Sequence, residues 1–283
     1  MQFDLTQFYR QARPEELAFY TEMLYPLQDR VFQVAAVYGN TIYLTGGTAL
    51  ARFHFHHRLS EDLDFFTTTD DLKLIVADMM ARLSSQGFAV EVEKLDVYFA
   101  RCYVTLDDVR LKMDFAREFN LLGTPEQTQS GIFVNPLEDI GANKISAFED
   151  RAEIKDIIDL YYLCRTFNFD HLFALADRKR APVAYESLLT INTIGISGRV
   201  LTTQPLAEEE LVRFLDDLRQ RTEEEVKKKE FWADEHIAQV IARLLWDFPP
   251  QERTLSTAAR PVLRRRLRTL SLPAQRALAR VVA

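Results

Sequence analysis

Apolar residues recur at helical spacing from 15 to 38, behind Pro14 and Glu15-Glu16, which suit a first helical turn. Gly39-Asn40 ends that run, so one or two helices are predicted. Thr41–Thr45 is β-rich and leads into Gly46-Gly47; Thr48–Phe55 then has helical character, and Asp62–Phe66 alternates as a strand. Residues 71–86 place Leu72, Ile75, Val76, Met79, Met80 and Leu83 on one stripe and stop near Gly87, the pattern of an amphipathic helix. Strands are predicted next at 88–95, 97–106 and 109–116, with Asp107-Asp108 as a tight turn that pairs the last two as an antiparallel hairpin. From about 137 the signal is almost wholly helical, with helices predicted at 137–150, 153–166, 169–177, 207–229, 234–245 and 259–281. A break rich in Thr, Ser and Gly lies near 192–206 and another at Pro249-Pro250. Helix, mixed sheet, then helices is the order of an α+β fold with a helical C-terminal part.

Composition narrows the class. A chain of 283 residues is long enough for one large domain or two modest ones, and 47% apolar with 27% charged residues fits a folded globular protein. The opening MQFDLTQFYRQARPEE lacks the apolar run of a signal peptide, and no later stretch is apolar enough to span a bilayer, so a cytoplasmic protein with no membrane partner is expected. Cys102 and Cys164 each stand alone in apolar sequence, which speaks against a disulfide framework or Cys-ligated zinc and for buried, inert thiols. The net charge of −7 argues against indiscriminate nucleic-acid binding, although residues 61–71 are acidic and 260–268 strongly basic.

The acidic stretch holds the candidate chemistry. Asp62 and Asp64 are two residues apart on a strand, so both side chains leave one face, while Leu63 and Phe65 point to the other. Adjacent carboxylates repel unless a cation or proton lies between them, and Mg2+ takes one or two protein carboxylates with water and phosphate oxygens. In Val109–Ala116, Arg110, Lys112 and Asp114 alternate with apolar residues, so Asp114 joins the pair if its strand lies beside theirs. Asp62, Asp64 and Asp114 would then serve a two-metal transfer of a phosphoryl group. Gly46-Gly47-Thr48 follows a strand and opens a helix, a place where backbone N–H groups favour an anion such as a triphosphate. It is neither a Walker A motif nor a dinucleotide fingerprint. A DxD pair that merely solvates an edge strand is the plain alternative.

Two spaced blocks resemble a known family. Gly46-Gly-Thr-Ala-Leu50 followed by His57-Arg58-x-Ser60-x-Asp62-x-Asp64, and Lys144-x-x-Ala147-x-x-x-Arg151-x-x-x-Lys155-Asp156-x-x-Asp159-Leu160, resemble the AbiEii/AbiGii nucleotidyltransferase toxins across roughly residues 40–165. The resemblance implies a polymerase-β-like nucleotidyltransferase fold, Mg2+ and a nucleoside triphosphate. Relatives act as toxins of toxin–antitoxin systems, and some, such as the MenT group, add nucleotides to the 3′ end of tRNA. It further implies functional roles for Gly46, Gly47, Asp62, Asp64, Lys144, Lys155 and Asp156, with Ser60 beside the metal site. On this basis residues 1–136 form a nucleotidyltransferase domain with N-terminal helices, and 137–283 a helical domain completing the active site. Asp62, Asp64, Asp114, Lys144 and Asp156 are the catalytic set; Gly46, Gly47, Thr48, Arg58, Ser60, Arg151 and Lys155 bind nucleotide.

The residues of the second block add their own argument. Lys144, Arg151 and Lys155 share one face if the helix is continuous, and a row of cations suits phosphate, with Asp156 and Asp159 orienting them. His54, His56 and His57 do not have zinc spacing; His57 and Arg58 fit phosphate or supporting contacts by the family pattern, and His54 and His56 surface or packing positions. Phe65, Phe66, Tyr98 and Phe99 are candidates to stack a base, though strand aromatics belong to the core more often. The clusters Arg178-Lys-Arg180, Lys227-Lys-Lys229 and Arg264-Arg-Arg266 make RNA the favoured large substrate. The expected activity is therefore Mg2+-dependent transfer of a nucleoside monophosphate from an NTP to tRNA, by a toxin with a cognate antitoxin protein. Small-molecule or protein nucleotidylation, and a non-catalytic nucleotide- or RNA-binding module, are the alternatives.

Overall fold

Pro14 opens the first helix, α1 (Pro14–Phe19), and the Glu16 carboxylate accepts the Arg13 backbone N–H at 2.8 Å, closing its first turn. The run continues to α2 (Tyr25–Ala35) through a π segment at Tyr20–Leu24, where the Tyr25 N–H donates to the Tyr20 carbonyl five residues back. Pro26 supplies the reason: it has no N–H for the carbonyl of Glu22, so the ladder widens instead of continuing. The bulge turns Tyr20 inward, where its hydroxyl donates to Glu61.

The structure, a computed structural model, describes residues 5–151, 153–179 and 196–230, and side chains at 149–151 and 226–230 lie outside that description. Met1–Arg219 form one compact unit and Gln220–Ala283 a second. The helices predicted at 234–245 and 259–281, the Pro249-Pro250 break and the side chains of the basic clusters at 227–229 and 264–266 lie outside the described residues.

After α2 come β2 (Tyr43–Thr45), α3 (Gly46–Ala49) with a π turn at Leu50–His54, and β3 (Leu63–Thr67). β1 itself (Tyr9–Gln11) precedes the helices. There follow α4 (Leu72–Ser85), β4 (Ala89–Leu95), β5 (Phe99–Leu106), β6 (Val109–Arg117), β7 (Glu126–Gln127) and β8 (Phe133–Val134). The chain ends its described part with α5 (Leu137–Arg151), α6 (Ile154–Leu163), α7 (Phe169–Arg178), β9 (Val200–Thr202) and α8 (Glu208–Glu230).

Seven strands form a mixed sheet in the order β4-β5-β6-β3-β2-β8-β7, and β1 pairs with β9 in a separate parallel ribbon. The predicted hairpin is present: Asp107 and Asp108 both take left-handed backbone (φ 48° and 63°), as a two-residue hairpin turn requires. β3 runs parallel to β6 and antiparallel to β2. β5 starts at Phe99 rather than 97, because the Asp96 carboxylate accepts from the Tyr98 and Phe99 N–H groups (2.9 and 2.8 Å) and bends the chain there. One sheet face carries Leu63, Phe65, Ala100, Cys102, Val104, Leu111, Met113 and Phe115, all buried, and α4 packs on β4, β5 and β6 with the six apolar residues of its stripe also buried. Phe65 and Phe115 stack at 5.3 Å across β3 and β6, so they belong to the core and not to a base-stacking surface.

Two expectations change. The Thr/Ser/Gly-rich segment is not merely a break, since Val200–Thr202 forms β9 and its carbonyls accept the backbone N–H groups of Ala12 and Leu59. Cys164 is only partly buried, unlike Cys102; neither is in a disulfide, and burial pushes their thiols up to about 12 and about 11, so both stay protonated and unreactive at neutral pH.

Candidate active site

Gly46 and Gly47 are glycines because of what lies over them. Gly46 has φ +69°, and a Cβ there would fall 2.3 Å from Asp64 Oδ2; a Cβ on Gly47 would fall 2.1 Å from Arg58 Nη2. The turn therefore lets a carboxylate and a guanidinium lie directly on the backbone. Thr48, expected to bind nucleotide, is instead buried beneath the turn. Its hydroxyl donates to the Asp62 carbonyl and sits 2.8 Å from Ser60 Oγ, which leaves it no free donor for a ligand.

The acids meet through strand register. Asp64 pairs with Asp114 across the parallel β3–β6 contact, and Asp62 lies just before β3. The three share a cavity of about 640 Å3. They do not gather around one point, and among the described residues no three His, Cys, Asp or Glu side chains are placed to hold an ion. The reason is two flanking cations. Arg101 Nε and Nη2 donate to the two oxygens of Asp114 at 2.8 and 2.9 Å, and Lys112 Nζ lies 2.5 Å from Asp62 Oδ2. Asp64 is pushed up from the usual carboxylate value by burial, with Asp114 and Asp62 adding repulsion and Lys144 opposing it. Hard oxygen donors around a buried, mutually repelling carboxylate are the chemistry that a divalent cation relieves.

Across the cavity the cations are anchored on Asp159. This fully buried carboxylate accepts Arg58 Nε and Nη2 (2.7 and 2.9 Å) and His57 Nε2 (2.7 Å), and pairs ionically with Lys144 Nζ at 2.6 Å. Lys144 Nζ also donates to Asp156 Oδ1 at 2.8 Å. Burial alone would raise Asp159, but Arg58 and Lys144, aided by the hydrogen bonds, hold it well below the carboxylate range. Burial likewise would lower Lys144; Asp159 and Asp156 keep it raised and charged. Arg58 Nη1 donates to the Leu59 carbonyl, and the buried Gln28 amide donates to the carbonyls of Ser60 and Glu61, so the 57–62 segment is fixed from both sides.

Gly46, Gly47, Arg58, Ser60, Asp62, Asp64, Asp114, Lys144 and Lys155 all line the cavity, whereas Asp156 stands behind Lys144. Lys144 and Lys155 are not on one continuous helix: Glu153 is extended (ψ 144°) between α5 and α6, and Lys155 pairs with Glu153 at 2.7 Å. The Arg151 side chain lies outside the described residues. Four contributors escaped the sequence reading of the site. Arg101 was legible in principle, since a two-residue turn at 107–108 sets Arg101 opposite Asp114. Asn143, Arg199 and Tyr20 carry no such signal, because α5, β9 and the π segment reach the cavity only through tertiary packing. A second cavity, of about 690 Å3, lies between Arg52–His54 and residues 126–130 and holds none of the acids. No described helix is long and apolar enough to cross a membrane.

Residues 31–248 match the family model described as nucleotidyl transferase AbiEii toxin of type IV toxin–antitoxin systems. An uncharacterised protein of Aquifex aeolicus (strain VF5) is 30% identical over 134 residues, 46% of this chain; the match spans only 61% of that protein's length. Among solved structures, MenT4, a nucleotidyltransferase toxin of Mycobacterium tuberculosis H37Rv, superposes with TM-score 0.53 at 20% identity over 74% of this chain and 84% of its own. A putative nucleotidyltransferase from H. pylori gives TM-score 0.50 at 21% identity over 75% and 97%. At such identities these likenesses concern the fold alone.

Proposed function

The chain belongs to the AbiEii nucleotidyl transferase toxin family, and from that premise we propose that it moves a nucleoside monophosphate from an NTP to the 3′ end of a tRNA, with Mg2+ at its acids. One observation carries the reading: Asp64 and Asp114, in register on adjacent strands, face Arg58 and Lys144 across a single cavity. Carboxylates on one wall and buried, charge-fixed cations on the other match the two halves of a metal–triphosphate complex.

In this reading Asp62 and Asp64 hold Mg2+, which when bound supplies positive charge to the triphosphate; Asp114 sits beside them as a third ligand or as the proton acceptor. Arg58, Lys144 and Lys155 hold phosphate oxygens, with Arg151 as a further contact from the second block. Asp156 and Asp159 keep Lys144 and Arg58 charged and aimed. The acceptor's 3′ hydroxyl oxygen attacks the α-phosphorus, the α–β phosphoanhydride bond breaks, pyrophosphate leaves, and the hydroxyl proton passes to Asp114 positioned by Arg101. The Gly46-Gly47 turn keeps the backbone low enough for nucleotide to approach. Residues 1–136 thus supply the acids and the turn, and the part from 137 onward supplies Lys144 and its supports. In the cell we read the protein as a cytoplasmic toxin whose cognate antitoxin counters it.

The test is incubation of the full chain with each α-labelled NTP, Mg2+ and total tRNA. Label on RNA, absent with Asp64→Ala, is expected. Label only on protein or on small molecules would overturn the tRNA acceptor and keep the transferase; no label on any acceptor would overturn the activity. Growth arrest on expression, relieved by a neighbouring gene's product, checks the toxin role.

A further inference from the structure

Most polar side chains around the cavity are spoken for. Asp62, Asp114, Arg58, Lys144 and Lys155 each have an ion-pair partner within the protein. Asn143 differs. It lines the cavity from α5, and its Nδ2 is buried with no hydrogen-bond partner among the described residues. A buried amide left unpaired costs free energy that native structures seldom leave uncompensated, and a half-turn of the amide, which interchanges Nδ2 and Oδ1, lets a ligand in the cavity satisfy it.

The neighbours of Asn143 indicate which part of a ligand it meets. Ile140 and Ala147, three before and four after it on the same face of α5, also line the cavity. Charged donors for phosphate are already present in Arg58, Lys144 and Lys155. A neutral amide between two apolar side chains offers hydrogen bonds without charge, which suits an uncharged oxygen or ring nitrogen. We propose that Asn143 is a nucleoside-recognition residue, whose amide donates to the ribose or base of the bound nucleoside triphosphate. The inference rests on the nucleotide reading of this cavity and goes beyond it in assigning the sugar–base subsite to the Ile140–Asn143–Ala147 face of α5.

The test compares the full-length protein with Asn143→Ala and with the near-isosteric, uncharged Asn143→Leu. Because the donor has no partner among the described residues, neither variant should lower the melting temperature without ligand. Both should bind Mg2+–NTP at least about tenfold more weakly, a loss equivalent to roughly 1.4 kcal/mol, while binding Mg2+–tripolyphosphate as the parent does. A lower melting temperature with unchanged NTP affinity would overturn the proposal and make Asn143 a structural residue. Equal loss for NTP and tripolyphosphate would overturn the nucleoside assignment, since the contact would then be to phosphate. Failure of the unmutated chain to bind any NTP would remove the underlying reading, a result visible without either variant.

Discussion

Asp159 is fully buried, accepts hydrogen bonds from Arg58 and His57, and forms an ion pair with Lys144. Its charge is what allows a guanidinium and an ammonium to stand almost without water in the cavity wall. Asp159→Asn keeps the shape but removes that charge, leaving two buried cations with Asp156 as their remaining anion nearby. Breaking such a pair is expected to cost roughly 3–5 kcal/mol, read as a lower denaturation midpoint, and a variant as stable as the parent would refute the anchor role. His57 adds a pH dependence. Burial lowers its pKa despite the Asp159 hydrogen bond, and its Nδ1 has no partner among the described residues, as suits a neutral ring donating through Nε2. The unfolded imidazole, near pKa ~6.5, takes up its proton first as pH falls. Stability is therefore full above about 6.5 and declines as pH drops below it towards the folded value. His54 is lowered by burial too and contributes with the same sign. Denaturation midpoints between pH 7.5 and 5.5 should fall less steeply in His57→Gln; an identical slope would assign the effect elsewhere.

Among the elements, the β5–β6 hairpin does most to assemble the acid side. Its two-residue turn fixes the register that sets Arg101 against Asp114, and β6 then carries Asp114 beside Asp64. Asp107 and Asp108 are the two non-glycine residues that hold the turn at positive φ. Replacing them by Asn-Gly should relieve left-handed backbone worth ~1–2 kcal/mol, less the ~0.5–1 kcal/mol entropic cost of glycine. A net gain of about 0.5–1 kcal/mol is expected in the denaturation free energy, with transfer activity unchanged; a loss of stability would show that the aspartates hold the turn by other means. This register was legible from alternation and turn chemistry. The break between α5 and α6 was legible as two helices, yet its consequence was not: Lys144 and Lys155 reach the same cavity by packing of two helices, not by spacing on one.

For the compact unit of residues 1–219 the cavity is a meeting point, lined from Tyr20 in the π segment to Leu201 in β9. A ligand bound there contacts elements far apart in sequence and stabilises the native state by mass action. Saturating Mg2+–NTP at about a hundred times Kd should add ~2.7 kcal/mol and raise the melting temperature by roughly 5–10 °C. Chelation of the metal should abolish much of the shift. No shift with any NTP would mean that nucleotide does not bind the folded unit.

The chain by itself determined the acids, the glycine turn and the β5–β6 pairing, because alternation, turn residues and short spacing are local and are written in consecutive positions. It also carried the two blocks by which the family is recognised. Only the tertiary structure decided that Asp159 anchors Arg58 and Lys144, that the Thr48 hydroxyl is bonded to Ser60 and the Asp62 carbonyl, and that β9 forms part of the cavity wall. These depend on contacts across about a hundred residues or more, as between Arg58 and Asp159 or Leu59 and Leu201. A strand of three residues such as β9 is too short to show a period, and the partner of a buried charge is fixed by packing, which no local pattern records.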